Sequence, residues 1–221
     1  MESPETMSRA IRAVFFDIGE TLVDETRLWR LWADWMRIPH ATFFAALGAV
    51  IERRWHHRRV FDLLQPGFDL ARETAARQAA GFPPDLLARE DFYPDALPCL
   101  ERLRARGIRI GLAGNQPAAA EEVLREMRLD VDVVASSEQW GVEKPSIEFF
   151  NRVCDAVQLA PSEVAYVGDR LDNDVLPAIA AGMSGIFIRR GPWGTIHATW
   201  PEARRATSRI DSLDDLDALL T

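Results

Sequence analysis

Short apolar runs alternate with amphipathic stretches along much of the chain. The apolar runs cover residues 13–18, 108–113, 131–135, 164–167 and 185–188 and are typical of buried parallel strands. Helical periodicity marks residues 95–106, 117–128, 146–158 and 173–181, and the tail at 210–220 has the pattern of a strand end and a last helix. Gly107 and Gly182 stand where helices should stop. Strands that alternate with helices predict an α/β fold with a doubly wound, Rossmann-like parallel sheet.

One long segment interrupts this alternation. Residues 24–92 have helical periodicity without a convincing strand pattern, and turns at Pro66-Gly67 and Gly81-Phe82-Pro83-Pro84 separate the helices. The segment holds Trp29, Trp32, Trp35 and Trp55. We therefore predict a Rossmann-like core domain from residues 1–23 and 93–221, with an inserted α-helical domain at 24–92.

The composition is that of a globular protein. The chain has 221 residues, of which 48% are hydrophobic and 27% charged, so it can bury a sizeable core. It contains no apolar run of about 20 residues, and residues 1–12 lack the apolar stretch of a signal peptide, so we expect a cytoplasmic protein with no membrane partner. Cys99 and Cys154 have no metal-ligand spacing and are expected to be buried, reduced thiols.

The net charge of the chain restricts the classes of partner that we expect it to bind. A net charge of -8 and a pI near 5.1 argue against nucleic-acid binding, which requires a basic surface, and favour a small-molecule ligand. Among the 26 lysines and arginines, Lys144 is the only lysine. Either this position requires a flexible ammonium, which arginine does not replace, or its identity is chance.

Acidic residues follow two of the predicted strands. Asp17 ends the first apolar run, where a carboxylate is costly unless it is used or paired, and Gly19 suits a turn that exposes it. The fourth run ends at Gly168-Asp169, with Asp172 and Asp174 close behind. Acids that converge on one sheet edge raise each other's pKa unless a cation is present, and Mg²⁺ prefers such oxygen ligands. The alternatives are a turn or capping role for Asp17 and a helix-capping role for Asp172 or Asp174.

A third polar element leads into the helix after the third strand. It reads Gly141-Val142-Glu143-Lys144-Pro145-Ser146. Proline suits the first turn of a helix, so Pro145 predicts that Lys144 is held rigidly at the carboxyl edge of the sheet.

In order and spacing, the motif around Asp17, the Lys144-Pro145 element and the Gly168-Asp169 motif with Asp174 resemble the haloacid dehalogenase superfamily. The sequence at Tyr93-Pro94-Asp95-Ala96 is similar to the family's return from a helical cap into the core. The resemblance covers nearly the whole chain. It implies a hydrolase with a helical cap, most often a Mg²⁺-dependent phosphatase of a small organic phosphate.

The resemblance also implies roles for single residues. Asp17 would be the nucleophile that forms an aspartyl-phosphate, and Lys144 would neutralise the phosphoryl oxygens and the nucleophile. Asp17 and Asp169 would hold Mg²⁺ together with the backbone carbonyl of Gly19. Asp174 would steady the metal through its waters.

Two positions depart from the family pattern. Gly19 stands where most phosphatases of the family carry a second aspartate as general acid and base, so the leaving group lacks its usual proton donor, for which Glu20 is a possible substitute. Gly114 stands where a serine or threonine normally contacts phosphate. The backbone N–H groups of Gly114 and Asn115 would then bind the phosphoryl oxygen.

The arginine-rich segment 52–59 is open to two interpretations, a solvated helical face or a lid that meets an anionic substrate. We favour the solvated face, with its tryptophan and histidines in the cap core. Two other functions stay open beside phosphatase activity. A 2-haloacid dehalogenase shares the nucleophile, lysine and cap without needing Mg²⁺, and a degenerate member would bind a phosphorylated ligand without turnover.

Overall fold

A parallel sheet forms the centre of the molecule. The computed structural model describes residues 10–220. Its strands are β1 (Ala13–Phe16), β2 (Arg109–Gly114), β3 (Val133–Ser136), β4 (Val164–Gly168), β5 (Ser184–Ile188) and β6 (Ser208–Ile210). They pair in the order β3-β2-β1-β4-β5-β6, and every pairing is parallel. The order changes direction between β1 and β4, so ligands are expected beyond the carboxyl ends of these strands.

Four α-helices lie in the segment of chain between Val23 and Phe92. They are α1 (Thr26–Trp35), α2 (His40–Glu52), α3 (Arg59–Leu64) and α4 (Leu70–Ala79). Their apolar faces form a separate cluster that includes Trp29, Trp32, Phe43 and Phe61. Val23 and Phe92 pair where the chain leaves the sheet and returns to it. The inserted helical cap is thus confirmed, while its exact limits at residues 24 and 92 stay a prediction.

The remaining helices cover both faces of the sheet. They are α5 (Ala96–Ala105), α6 (Ala118–Glu126), α7 (Ser137–Trp140), α8 (Ile147–Val157), α9 (Leu176–Ala180), α10 (Gly191–His197) and α11 (Leu216–Leu219). Helices α5, α6 and α11 pack on one face, and α8 and α9 on the other, which confirms the doubly wound fold. Cys99 on α5 and Cys154 on α8 are buried and free, as predicted. None of the helices in residues 10–220 has the length and apolar character needed to cross a membrane.

Strand β1 lies in the interior of the sheet, where both of its faces are covered, and neither face is polar. Val14 and Phe16 pack into the core on one side of the sheet, and Ala13 and Phe15 pack into the core on the other. All four are fully buried. An apolar run without alternation is what a strand in this position requires.

Local bounds differ from the prediction in three places. The helix predicted at 173–181 is α-helical only over Leu176–Ala180, because a π-helical turn, Leu171–Val175, takes the place of its start, and the third strand is shifted towards Ser136. Helix α10 was not predicted, because its two glycines and its proline oppose helical propensity. It forms where Trp193 is buried among the cap's aromatic rings, 6.1 Å from Trp29 between ring centroids. Tertiary packing outweighs local propensity there.

A partly buried ion pair joins the start of α5 to the end of β5. Asp95 accepts hydrogen bonds from Arg190, from the Ser212 hydroxyl at 2.7 Å and from the Leu213 N–H at 2.9 Å. Burial by itself would raise the pKa of Asp95, but these hydrogen bonds outweigh it and lower the pKa to about 2. A carboxyl whose pKa is lowered by folding stabilises the protein above its unfolded pKa and loses that effect as pH falls towards 2.

We therefore expect Asp95→Asn to lower the free energy of unfolding by about 2 kcal/mol at pH 7. The deficit should shrink when pH falls from about 4 towards 2. Urea unfolding at several pH values measures both. The matched control is Asp211→Asn, which breaks the exposed pair with Arg189 and should change little. A deficit that stays constant down to pH 2 would contradict the ionic origin.

Candidate active site

Two aspartates lie side by side at the carboxyl edge of the sheet. Asp17 follows β1 and Asp169 follows β4, and these strands pair with Phe16 opposite Val167. The N–H of Asp17 donates to the carbonyl of Val167 at 2.9 Å and extends the ladder by one residue. The strand register therefore fixes both carboxylates at the same place.

A third aspartate reaches this place from the π-helical turn. The N–H groups of Asp174 and Val175 both donate to the carbonyl of Arg170, at 3.0 and 3.1 Å, which widens the turn. One carboxylate oxygen of Asp174, Oδ2, accepts from the Arg170 N–H at 3.0 Å. The other oxygen is directed to Lys144, and the whole side chain is buried. The π-helical turn thus fixes the Asp174 carboxylate beside Asp17 and Asp169.

The Lys144 ammonium is buried between two of these carboxylates. Its Nζ donates to Oδ1 of Asp17 at 2.7 Å and to Oδ1 of Asp174 at 2.6 Å. Burial alone would lower the pKa of Lys144, but the charges of Asp17 and Asp174 outweigh it and hold the pKa well above its usual value. Lys144 therefore places a permanent positive charge against Asp17.

Asn115 holds the backbone of Lys144 in place. Its amide Nδ2 donates to the Lys144 carbonyl, and its Oδ1 accepts from the Lys144 N–H, each at 2.8 Å. The expected position of Pro145 in a first helical turn is wrong: α8 begins at Ile147, with Ser146 as its cap. Sequence reasoning missed the contact between Asn115 and Lys144, because the two loop positions are related by no periodicity.

The three carboxylates fit a divalent cation. One oxygen from each of Asp17, Asp169 and Asp174 lies within 4.8 Å of the others. Oδ2 of Asp169 is buried and has no hydrogen-bond partner among residues 10–220. Burial, and then the charges of Asp174 and Asp17, raise the pKa of Asp169 well above its usual value. One ammonium faces three carboxylates, and a hard divalent ion bound by the free oxygens would relieve their repulsion.

Gly114 ends β2 directly against Asp17. A β-carbon on Gly114 would lie 2.8 Å from Oδ1 of Asp17, closer than such contacts ordinarily come. A serine or threonine in this position would require the Asp17 carboxylate to shift. The absence of a serine or threonine hydroxyl at position 114 therefore accompanies a close approach of the β2 backbone to the Asp17 carboxylate.

Comparison with known proteins identifies the family. The model of the haloacid dehalogenase-like hydrolases matches residues 11–182. This chain belongs to that family. It is 31% identical over 205 residues to a glyceraldehyde 3-phosphate phosphatase of Methanopyrus kandleri, covering 83% of this chain and 86% of the relative.

Two solved structures have the same fold. The Bacillus subtilis hydrolase YfnB bound to magnesium superposes with a TM-score of 0.70 at 19% identity and covers 96% of this chain and all of its own. A 2-haloacid dehalogenase of Pseudomonas syringae pv. Tomato superposes with a TM-score of 0.59 at 22% identity, over 95% and 98% of the two chains. At these identities the likeness concerns the fold.

In this haloacid dehalogenase-like hydrolase, the carboxylate of Glu20, which the sequence offers as a substitute proton donor, accepts hydrogen bonds from neighbouring residues. Its Oε2 accepts from the Tyr93 hydroxyl at 2.7 Å, and its carboxylate also accepts from the N–H of Glu25. Burial raises the pKa of Glu20 to about 7. The backbone at Glu20 has a positive φ of 55°, which fixes the turn after Gly19. Glu20 is thus built into the turn.

Glu25 is the acidic residue that sequence reasoning missed. A β-carbon on Gly19 would lie 2.3 Å from Oε1 and 2.7 Å from Cδ of Glu25, so the Glu25 carboxyl fills the space of a side chain at position 19. Burial, and then the charges of Glu20 and Asp17, raise the pKa of Glu25 to about 8. No periodicity connects positions 19 and 25. The one signal in the sequence is that Gly19 lacks the usual side chain.

The arginine-rich segment forms turns rather than the expected helix. Helix α2 ends at Glu52, and Trp55, expected in the cap core, is 44% exposed between the guanidinium groups of Arg53 and Arg59. Both expectations were wrong. Arg54 instead contacts the core: it pairs with Glu202 at 2.9 Å and stacks on Trp200.

Proposed function

We propose that this hydrolase is a phosphatase that cleaves a small organic phosphate monoester, with Asp17 as nucleophile and Mg²⁺ as cofactor. The observation that carries the proposal is the buried Oδ2 of Asp169, which lies beside Asp17 and Asp174 and has no hydrogen-bond partner in the described part of the chain, 10–220. A divalent ion would satisfy this oxygen and would supply the charge neutralisation that phosphoryl transfer uses. The similarity to a relative named as a phosphatase supports the same reading.

Under this proposal Asp17 is the group that changes covalently. One of its carboxylate oxygens attacks phosphorus and displaces the ester oxygen, which gives an aspartyl-phosphate. Water then attacks phosphorus, the bond between phosphorus and Asp17 breaks, and phosphate leaves. Lys144 lies 2.7 Å from Oδ1 of Asp17, where its charge stabilises the negative oxygens gathered on phosphorus. We further infer that the backbone N–H groups of Gly114 and Asn115 bind a phosphoryl oxygen, because β2 ends directly against Asp17.

Asp17, Asp169 and the carbonyl of Gly19 would hold the cation. Asp174 would support it from the neighbouring position, since Lys144 already engages its Oδ1 and the Arg170 N–H its Oδ2. When bound, the ion supplies Lewis-acid stabilisation of the phosphoryl oxygens. The cap boundaries, a cytoplasmic location and the absence of a nucleic-acid partner stay predictions.

The test is a panel of phosphorylated metabolites, assayed with chelator and with added Mg²⁺, beside 2-chloropropionate. We expect turnover of at least one phosphate ester that chelator abolishes and Mg²⁺ restores. Asp169→Asn should raise the Mg²⁺ concentration at half-saturation by about 10–100-fold and remove the increase in Tm that Mg²⁺ produces.

Asp172→Asn is the matched control. Asp172 is exposed and pairs with Arg170, so its loss should leave Mg²⁺ saturation nearly unchanged. Chelator-resistant turnover of 2-chloropropionate would replace the phosphatase by a dehalogenase. Mg²⁺-dependent binding of a phosphate ester without turnover would indicate a degenerate family member.

A further inference from the structure

We infer that Glu25 replaces the side chain missing at Gly19 and transfers the proton to the leaving oxygen of the substrate. The inference rests on the proposed phosphatase function and adds a catalytic residue to it. It is carried by the position of one carboxyl group, which comes from α1 rather than from the turn after β1.

The Glu25 carboxyl and a side chain on residue 19 exclude each other. A β-carbon on Gly19 would stand 2.3, 2.7 and 3.2 Å from Oε1, Cδ and Oε2 of Glu25. The closest of these distances is well inside van der Waals contact. Glu25 therefore places its carboxyl where the side chain of residue 19 would begin, two residues beyond Asp17.

The backbone of Glu25 is held at the junction between turn and helix. Its N–H donates to the carboxylate of Glu20, and Asp24 accepts from the N–H of Thr26 at 2.8 Å as α1 begins. The carbonyl of Glu25 accepts from the N–H of Trp29 at 3.0 Å in the first turn of α1. These bonds direct the Glu25 side chain back towards Gly19.

The neighbouring carboxyl groups have other partners. Glu20 accepts from Tyr93, Asp24 accepts from Thr26, and Asp174 accepts from Lys144. Asp169 belongs to the candidate cation site. The Glu25 carboxyl lies beside the turn after Asp17 and next to the Trp29 side chain, and it belongs neither to these hydrogen-bonded pairs nor to the candidate cation site.

The chemistry balances with Glu25 as acid and then as base. In the first step an oxygen of Asp17 bonds to phosphorus, the bond from phosphorus to the ester oxygen breaks, and the Glu25 carboxyl gives its proton to that oxygen, so a neutral alcohol leaves. In the second step water bonds to phosphorus and gives a proton to the Glu25 carboxylate. The bond between Asp17 and phosphorus breaks, and phosphate departs.

The decisive experiment is a leaving-group series for the wild-type enzyme and Glu25→Gln. Plotting log(kcat/KM) against leaving-group pKa should give a shallow slope for the wild type and a steep one for the variant. Alkyl phosphates should lose about 10²–10³-fold, whereas 4-nitrophenyl phosphate, whose leaving group needs no proton, should lose less than about tenfold. Asp24→Asn, one residue away, should keep the wild-type slope.

Relocating the carboxyl tests the same assignment. Gly19→Asp in the Glu25→Ala background should restore alkyl phosphate turnover and the shallow slope. An equal loss for alkyl and aryl phosphates in Glu25→Gln, or a steep slope already in the wild type, would overturn the assignment.

A stability measurement separates the inference from the proposed function. Gly19→Asp alone should lower Tm by about 5 °C, because its side chain meets Glu25, and adding Glu25→Ala should recover most of the loss. Additive effects would contradict the shared space. A wild-type enzyme inactive on every phosphate would overturn the proposed function, and the proton transfer with it, even if the two substitutions compensate as expected.

Discussion

Replacing Asp17 by asparagine should abolish hydrolysis while leaving the fold intact. The amide keeps the volume of the side chain, and its Oδ1 can still accept the hydrogen bond from Lys144 that now spans 2.7 Å. An amide oxygen is a far poorer nucleophile than a carboxylate, so kcat/KM should fall by at least about 10⁴-fold. Steady-state kinetics on the best phosphate of the panel and urea unfolding measure the two parts of this expectation.

The fold should not suffer, since the substitution removes one of three crowded negative charges. We expect a free energy of unfolding equal to or above that of the wild type in the presence of chelator. Product phosphate should still bind, because Lys144 and the end of β2 are untouched. Turnover within tenfold of the wild type would assign the nucleophile to another residue.

The sequence predicts the sheet and its acidic edge because both depend on local patterns. The run around Phe15 and Phe16 is apolar on both faces, as a strand covered by helices must be. Parallel strands end at one edge, so Asp17 and Asp169 meet there whatever the exact register of the helices. Right-handed crossovers and short connections restrict the strand order to a few arrangements, and the structure shows which one is formed.

Contacts between residues in distant loops cannot be predicted from the sequence pattern. The side-chain amide of Asn115 bonds to the backbone of Lys144, and the Glu25 carboxyl meets Gly19 through the angle at which α1 leaves the turn. Neither relation has a period of two or 3.6 residues. Trp193 lies in a segment whose glycines and proline indicate a loop, yet the cap's aromatic cluster stabilises a helix there.

Removing the Lys144 ammonium should damage both stability and catalysis. In Lys144→Met the length of the side chain is kept, but Asp17 and Asp174 lose a buried partner. Breaking a buried pair in this way costs about 3–5 kcal/mol, which corresponds to a fall in Tm of roughly 10 °C for a chain of this size. Activity at saturating Mg²⁺ should fall by about 10²–10³-fold, since a preorganised charge beside the nucleophile is lost.

The pH dependence of the loss has a definite sign. Folding raises the pKa of Lys144, so its stabilising effect is complete at neutral pH and disappears only above the ordinary lysine pKa of 10.5. The Asp174 carboxyl left without its partner is harder to ionise than in the unfolded chain, because burial raises its pKa from the ordinary 3.8 to about 6 even beside Lys144. The deficit of Lys144→Met in chelator should therefore grow as pH rises from about 4 to 7.

Arginine should not rescue this position, although Lys144 is the single lysine among the 26 lysine and arginine residues of the chain. The Lys144 Nζ fits between two carboxylate oxygens at 2.7 and 2.6 Å in a site that is closed to solvent, and a planar guanidinium is too broad to enter it. Lys144→Arg should lose nearly as much activity as Lys144→Met, whereas Arg152→Met, which removes an exposed cation, should lose none. Near-wild-type turnover in Lys144→Arg would mean that charge alone matters at this position. Loss of activity in Lys144→Arg would mean that the site accepts only a compact ammonium, which explains the single lysine of the sequence.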